Sequence, residues 1–454
     1  MSSALELTRT GIALHLEGDK FGARFHYLAA LKIDPKCLPT LQNLGQLAND
    51  ANELDTAVTF VNRILHQCPN DGIQWSNLGN LLMRQEKLDE ALAAMERAVA
   101  LVPDVPIVWH NYALLFLRMR RYDSALDCIE RAGRMGQRSL SAQNDKAHVL
   151  LHLGRLADAW PLYEARWATL NHLPPWDFYI TEWQGEELDG KSILIHSEQG
   201  FGDTIMWLRF AKRFAHADLT IGVPSCMASL VNELGFKVLV IEDMNNENMK
   251  GFDFQSPMFS TLRWLGITKD DIANVPYIPI RSLDTSTSSN NSLRVGICWA
   301  SGRRNSEHDY RGRYTDLRDW LQLASVPNVE LVSLQQGPDA NDIAMRMAEG
   351  LIDDSEILRA KDWLATAKIV TNLDLVICVD TAVAHLAGAM GKPTWMLSQY
   401  TNCWRWWDID NGTGRPWYKS MRILRQSKPG DWKTLLQTCV EDLREHETPM
   451  TRAA

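Results

Sequence analysis

Three stretches of the chain combine residue types and spacings that could do chemistry, two of them suited to holding phosphate and one, around Gly200 and Gly202, to an acceptor-side loop carrying a base. In the first, Val379-Asp380-Thr381-Ala382-Val383-Ala384-His385 follows an apolar, β-branched run, and Val383, Leu386, Ala387 and Met390 then recur at helical spacing before Gly391 and Pro393. A helix that opens beyond the carboxyl end of a buried strand offers unpaired N–H groups and partial positive charge, so Thr381, Ala382, Val383 and Ala384 make a seat for an anion. Asp380 would shape the turn, and His385, one helical turn past Thr381 on the same face, could donate to the same ligand. An ordinary turn capped by Asp380 or Thr381, with His385 a satisfied core group, fits the same residues. The second stretch is Glu198-Gln199-Gly200-Phe201-Gly202-Asp203-Thr204. Gly200 and Gly202 let backbone bend sharply and approach a ligand, although Asp203 equally suits the N-cap of a helix over 204–214 and the glycine pattern alone is weak. The third is the basic run Arg303, Arg304, Asn305, His308, Arg311 and Arg313, which follows Trp299-Ala300-Ser301-Gly302. Guanidinium forks match phosphate oxygens, whereas many charge runs are only solvated faces.

Such stretches need a scaffold that delivers them at strand ends. The run before Asp380 is too continuous for a one-sided surface strand and suits a parallel sheet covered on both faces. From Lys191 onward strands alternate with helical segments: 193–196, 219–223, 237–241 and 252–254, then 294–299, 329–334, 375–379 and 393–397. Residues 282–293 form a polar, low-complexity linker, so the alternation separates into two Rossmann-like domains, 172–281 and 294–454.

Ahead of them the chain repeats with a period of 34 residues, the length of a tetratricopeptide repeat. Gly11, Gly45, Gly79, Ala113 and Ala147 fall on one comb, Ala23, Ala57, Ala91, Ala125 and Ala159 on a second, and Pro35, Pro69 and Pro103 mark the turns. Small residues belong where two helices cross closely. About five helix pairs are expected over 1–171, sharing one core and leaving a concave surface for a protein partner. Trp160, Tyr163 and Trp167 in the fifth pair are expected to dock on the next domain, with Leu173-Pro174-Pro175-Trp176 as a stiff connection.

A net charge of −9 without a basic tail gives no field for nucleic acid. No apolar run reaches membrane-spanning length and the first residues lack a signal-peptide pattern, so a cytoplasmic location is expected. The eight cysteines are scattered without a Cys-x-x-Cys pair, which suits reduced core residues better than a zinc site or redox dithiol.

The stretch Val379-Asp380-Thr381-Ala382-Val383-Ala384-His385-Leu386-Ala387-Gly388 resembles the donor-binding signature of the heptosyltransferase-like glycosyltransferases, glycosyltransferase family 9 and its relatives, in which it holds a nucleotide-sugar pyrophosphate. Glu198 to Thr204, Val295-Gly296-Ile297-Cys298-Trp299-Ala300, Ser333-Leu334-Gln335, and Trp404-Arg405-Trp406 through Gly430-Asp431-Trp432 resemble variants of this fold fused to tetratricopeptide repeats. The resemblance covers most of 191–432. It implies an all-α repeat solenoid followed by an α/β GT-B fold, with an acceptor-side domain, a nucleotide-sugar-binding domain, and helices beyond Trp432 crossing back to the first. It also implies transfer of a sugar to a protein captured by the repeats, flagellin or another surface protein among the candidates. An inactive repeat adaptor, or a transferase for a lipid-linked or polysaccharide acceptor, are the alternatives.

Glycosyl transfer to a hydroxyl needs a base, donors for the departing diphosphate, and a cleft that excludes water. Asp203 matches the acidic residue after the corresponding family loop, with Glu198 in reserve as base. Arg311 or Arg313 corresponds to the basic residue that relatives set against the diphosphate, and Asp380 to His385 hold the donor. Gln335 and Gln336 suit the base or ribose, and Trp404, Arg405, Trp406 and Trp407 suit either an aromatic wall near the donor or packing between the domains. No cofactor besides the nucleotide-sugar co-substrate, and no metal, is expected, because arginine and helix dipole neutralise the diphosphate.

Overall fold

The computed structural model describes residues 3–168, 180–244, 247, 249–272, 275–280, 292–301, 315–337, 352–353, 355–406 and 417–445. The chain divides into two units, Met1–Val149 and Leu150–Ala454.

In the first unit α1 (Ala4–Leu16) and α2 (Lys20–Ile33), α3 (Leu38–Asp50) and α4 (Leu54–Gln67), α5 (Gly72–Arg84) and α6 (Leu88–Leu101), and α7 (Pro106–Arg118) and α8 (Tyr122–Arg134) form four hairpins, followed by the start of α9 (Leu140–His152). The small-residue combs sit at the helix crossings. Ala23, Ala57, Ala91 and Ala125 are fully buried, and a Cβ on Gly79 would lie 2.8 Å from Met95 Cγ. Two of the three turns are pinned by a tryptophan in the same register: Trp75 Nε1 donates to Pro69 O at 2.9 Å and Trp109 Nε1 to Pro103 O at 2.8 Å.

The second unit opens with the end of α9 and with α10 (Leu156–Tyr163), whose aromatics dock as expected. Trp160 is buried, donates from Nε1 to Ile267 O at 2.9 Å, and sets its ring beside Tyr163, Phe259 and Trp404. Two parallel sheets follow. The first joins β1 (Ser192–His196), β2 (Asp218–Val223), β3 (Lys237–Val240) and β4 (Phe254–Pro257) in the order β3-β2-β1-β4, with α11 (Phe201–Trp207), α12 (Ser225–Glu233) and α13 (Met258–Trp264) between or after them. The second joins β5 (Leu293–Cys298), β6 (Val329–Ser333), β7 (Leu375–Val379), β8 (Thr394–Ser398) and β9 (Met421–Arg425) in the order β6-β5-β7-β8-β9. Its helices are α14 (Leu317–Trp320), α15 (Trp363–Thr371), α16 (Ala382–Ala389) and α17 (Trp432–Glu445). This is a helical repeat array followed by two Rossmann-like sheets of the GT-B type. Strand order reverses beside β1 and beside β5, and such switch points leave crevices at the carboxyl ends of the strands.

Every residue of β7 is buried, as a strand covered on both faces requires. Three local readings need correcting. The fourth strand starts at Phe254 and runs to Pro257, so the segment at 252–254 was placed too early. Strand β9 was not foreseen. Helix α17 does not cross back to the first half: Leu435, Leu436, Cys439, Val440 and Leu443 pack with Trp299, Trp320 and Leu323 in the core of the second. Most of the expected linker, and Leu173 to Trp176, lie outside the described residues. Among the described residues all eight cysteines are free, and no helix is long and apolar enough to cross a membrane.

Candidate functional site

Two strand ends and the helices after them meet where the halves face each other. After β1 the chain passes through Gln199, held at φ 60°, into Gly200 and α11. After β7 it turns at Asp380 and Thr381 into α16. The two helix starts touch: a Cβ on Gly202 would lie 2.6 Å from His385 Cδ2 and 3.4 Å from Ala382 Cα, so only glycine allows this approach.

The amino end of α16 is open in the following way. Thr381 is extended (φ −142°, ψ 169°) and its side chain does not cap the helix. Ala384 N–H closes the first turn on Thr381 O at 3.1 Å, and among the described residues no carbonyl accepts from the N–H of Ala382 or Val383. Thr381 Oγ1 is buried without a hydrogen-bond partner among the described residues, and Asp380 is buried beneath it in the turn. Unpaired N–H groups at such an end carry the positive pole of the helix.

His385 is buried, stacks on Trp406 with ring centroids 4.6 Å apart, and pairs through Nδ1 with Tyr418 Oη at 2.9 Å. Around this pair Arg209 donates to Tyr277 Oη at 3.4 Å, Tyr277 gives its own proton to Ile205 O at 2.9 Å, and Tyr418 Oη also lies 3.5 Å from Tyr277 Oη. Burial, then the nearby Arg405 and Arg209 charges, hold the His385 imidazole well below its usual range. It is a neutral imidazole.

Asp203 sits in the first turn of α11 and accepts from Gly200 N–H at 3.0 Å, so it caps this helix from inside rather than starting one at Thr204. Its other oxygen pairs with Arg405, whose guanidinium also donates to Gln199 Oε1 at 3.1 Å and lies 4.5 Å from the Trp404 ring centre. Sequence reasoning had placed Arg405 in an aromatic wall; its pairing with a carboxylate 202 residues earlier gave no local signal.

Glu198 lies beside this site but faces the other way. Arg166 clasps it with two bonds, Nε to Oε2 at 2.8 Å and Nη2 to Oε1 at 2.9 Å, and Phe259 N–H adds a third at 2.8 Å. Arg166 also donates to Glu164 and Ser260, closing a buried network that ties the turn after α10 to β1 and α13. Gln335 is likewise spent on the protein: Oε1 accepts from Trp299 N–H and Ala300 N–H at 3.1 and 3.0 Å, and Nε2 donates to Ala300 O at 3.1 Å, which clamps the ends of β5 and β6. Gln336 donates to Thr366. Arg303, Arg304, Asn305, His308, Arg311, Arg313 and Trp407 lie outside the described residues. Among the described residues, the one cluster with metal-ligand geometry is exposed Glu187, Asp189 and His216, at the opposite end of β1 from the site.

Residues 306–442 match glycosyltransferase family 9 (heptosyltransferase), and 73–105 and 112–170 match tetratricopeptide repeats. The chain is a tetratricopeptide-repeat protein carrying a glycosyltransferase family 9 domain. It is distantly related to Protein FlbA of Caulobacter vibrioides, with 26% identity over 336 residues, 66% of this chain and 54% of FlbA. The chain thus spans about half of that relative. Solved structures of PilW, described as a type IV pilus biogenesis factor, and of Pseudomonas aeruginosa pilF share 19% identity with it. PilW matches over 37% of this chain and 79% of its own, and pilF over 47% and 85%, each with a TM-score of 0.35.

Proposed function

We propose that the chain moves a sugar from a nucleotide-sugar to a protein held by the repeats, with the donor diphosphate seated on the amino end of α16. The observation that carries this reading is that end itself: among the described residues the N–H groups of Ala382 and Val383 have no carbonyl partner and buried Thr381 Oγ1 has no hydrogen-bond partner, and the neutral His385 and the Arg405 guanidinium stand beside it. Arg405 turns from Asp203 to the diphosphate when the donor arrives. Asp203, released, takes the proton of the acceptor hydroxyl as that oxygen attacks the anomeric carbon, and the bond from that carbon to the diphosphate breaks. The negative charge gathering on the leaving group falls on Arg405, the helix pole and His385, while Arg311 or Arg313 adds a second cation. Glu198 and Gln335 hold the frame.

The nucleotide site is tested by Ala382→Pro, which removes one of the free N–H groups at a position where helices tolerate proline. Nucleoside-diphosphate affinity, read by calorimetry, should fall about 10-fold or more, the weight of a lost bond to a charged group, while the circular dichroism stays parental. Unchanged affinity in the folded variant refutes the seat. For the acceptor, mass spectrometry of proteins retained by the repeat unit should show a sugar mass that disappears when Asp203→Asn replaces the parent.

A further inference from the structure

The first hairpin of the array is surfaced unlike those after it. In α4, α6 and α8 the outward positions that correspond to 21, 25 and 28 carry Asp55, Thr59 and Asn62, then Asp89, Ala93 and Glu96, then Asp123, Asp127 and Glu130. In α2 the same places hold Phe21, Phe25 and Leu28, which are 85%, 64% and 45% exposed. Leu16 at the end of α1 and Ile33 at the end of α2 are exposed as well. The core-facing side of α2 is already complete, with Ala23, Tyr27 and Ala30 fully buried, so these residues are not a misplaced core. Spacing of four and then three residues puts Phe21, Phe25 and Leu28 on one stripe, the pattern a helix presents to another helix. Solvent-facing repeat surfaces are normally polar, and a contiguous apolar patch with a charged rim marks an interaction site.

The charges around the stripe select the occupant. Glu17, Asp19 and Lys20 stand exposed at its beginning, a net charge of −1, and Lys32, Asp34 and Lys36 at its end, a net charge of +1. We propose that this face binds a second copy of the chain, α2 against α2, antiparallel about a two-fold axis near Phe25. In that arrangement Phe25 packs on its own counterpart, Phe21 meets Leu28 of the other copy, and the acidic beginning of each stripe meets the basic end of the other, twice. A parallel pairing would set Glu17 and Asp19 against themselves and Lys32 against Lys32. The face is self-complementary in one direction only, as an isologous contact requires. Two helical turns of contact fall well short of the roughly 800 Å² per partner of a tight complex, so the dimer is a reversible one, in the micromolar range.

Sedimentation velocity on the full chain over a concentration series tests this. The parent should pass from monomer to dimer. The variant Phe21→Asp, Phe25→Thr, Leu28→Asn copies the residues α4 carries at the same positions, so the helix should stay intact by circular dichroism while the protein stays monomeric. Lys32→Glu should weaken association about tenfold by turning two attractions into repulsions, and adding Glu17→Lys should restore it. A parent that is monomeric up to millimolar concentration overturns the proposal, including the case in which another segment of the same polypeptide covers the stripe. A dimer that survives the triple substitution overturns it as well.

Discussion

Asp203→Asn separates chemistry from architecture at the candidate site, provided it is measured together with Arg405. Asparagine preserves the bond from Gly200 N–H, since it caps helices about as well as aspartate. It does not preserve the charge pair. The Asp203 and Arg405 side chains are only 12% and 13% exposed, so neutralising one leaves a nearly buried guanidinium held by Gln199 and Trp404. Breaking a fully buried pair costs about 3–5 kcal/mol, and the bonds that remain to Arg405 together with its slight exposure bring the expected loss to about 2 kcal/mol. A general base is worth about 10²- to 10⁴-fold in turnover. A fall in rate alone is ambiguous, because a displaced Arg405 would also slow the reaction. The cycle of Asp203→Asn, Arg405→Gln and the double variant resolves it, with urea midpoints for stability and single-turnover release of nucleoside diphosphate at saturating donor for rate. In the Arg405→Gln background the stability cost of Asp203→Asn should vanish, while the loss of about two decades or more in rate should persist. If the double variant turns over within about twofold of Arg405→Gln alone, Asp203 serves only to hold Arg405, and the base assignment is wrong.

Glu198→Gln should destabilise the second unit by about 3 kcal/mol by removing one of the two carboxylate charges, Glu198 and Glu164, that pair with buried Arg166, which a urea titration followed by tryptophan fluorescence will show. Tyr418→Phe keeps the ring but removes the hydroxyl paired with His385 Nδ1, so the nitrogen-15 shifts of His385 should move toward a mixed tautomer and nucleoside-diphosphate affinity should drop severalfold; unchanged shifts would contradict a tautomer fixed by that bond. His196, through burial, and His385, through burial and then the Arg405 and Arg209 charges, are both held below the usual value of 6.5. As pH falls the unfolded chain therefore takes up their protons first, so stability is full above about pH 6.5 and erodes beneath it. Urea midpoints on either side of that pH should differ in the parent and converge in a His196→Gln, His385→Gln variant.

The repeat register and the strand–turn–helix at Asp380 were legible because both are written in local periodicity: alanines one repeat apart at crossings, and a β-branched run ended by Asp380 with Gly391 and Pro393 beyond. Trp160 and Tyr163 stood out as bulk that the comb did not call for. What stayed hidden depends on contacts between distant residues. Nothing near Glu198 reveals that Arg166, 32 residues earlier, consumes both its oxygens, and Gln335 faces backbone 36 and 35 residues before it. Strand β9 reads Met-Arg-Ile-Leu-Arg, five residues at a sheet edge with arginines at two of them, and carries too little periodicity to be separated from a loop.

The Arg166 network bears on how such a chain can be cut and recombined. A gene fragment begun after the apparent last repeat would lack Arg166, Trp160 and Tyr163, and would bury Glu198 with no counter-ion. The two-sheet half is therefore not a cassette that starts where the repeats stop. A recombination event that exchanged one repeat array for another would keep that half folded only if its breakpoint fell ahead of α10, so that the helix came along with the domain it packs on. Exchange of repeats is thereby confined to the segments upstream, and α10 is inherited with the sheets.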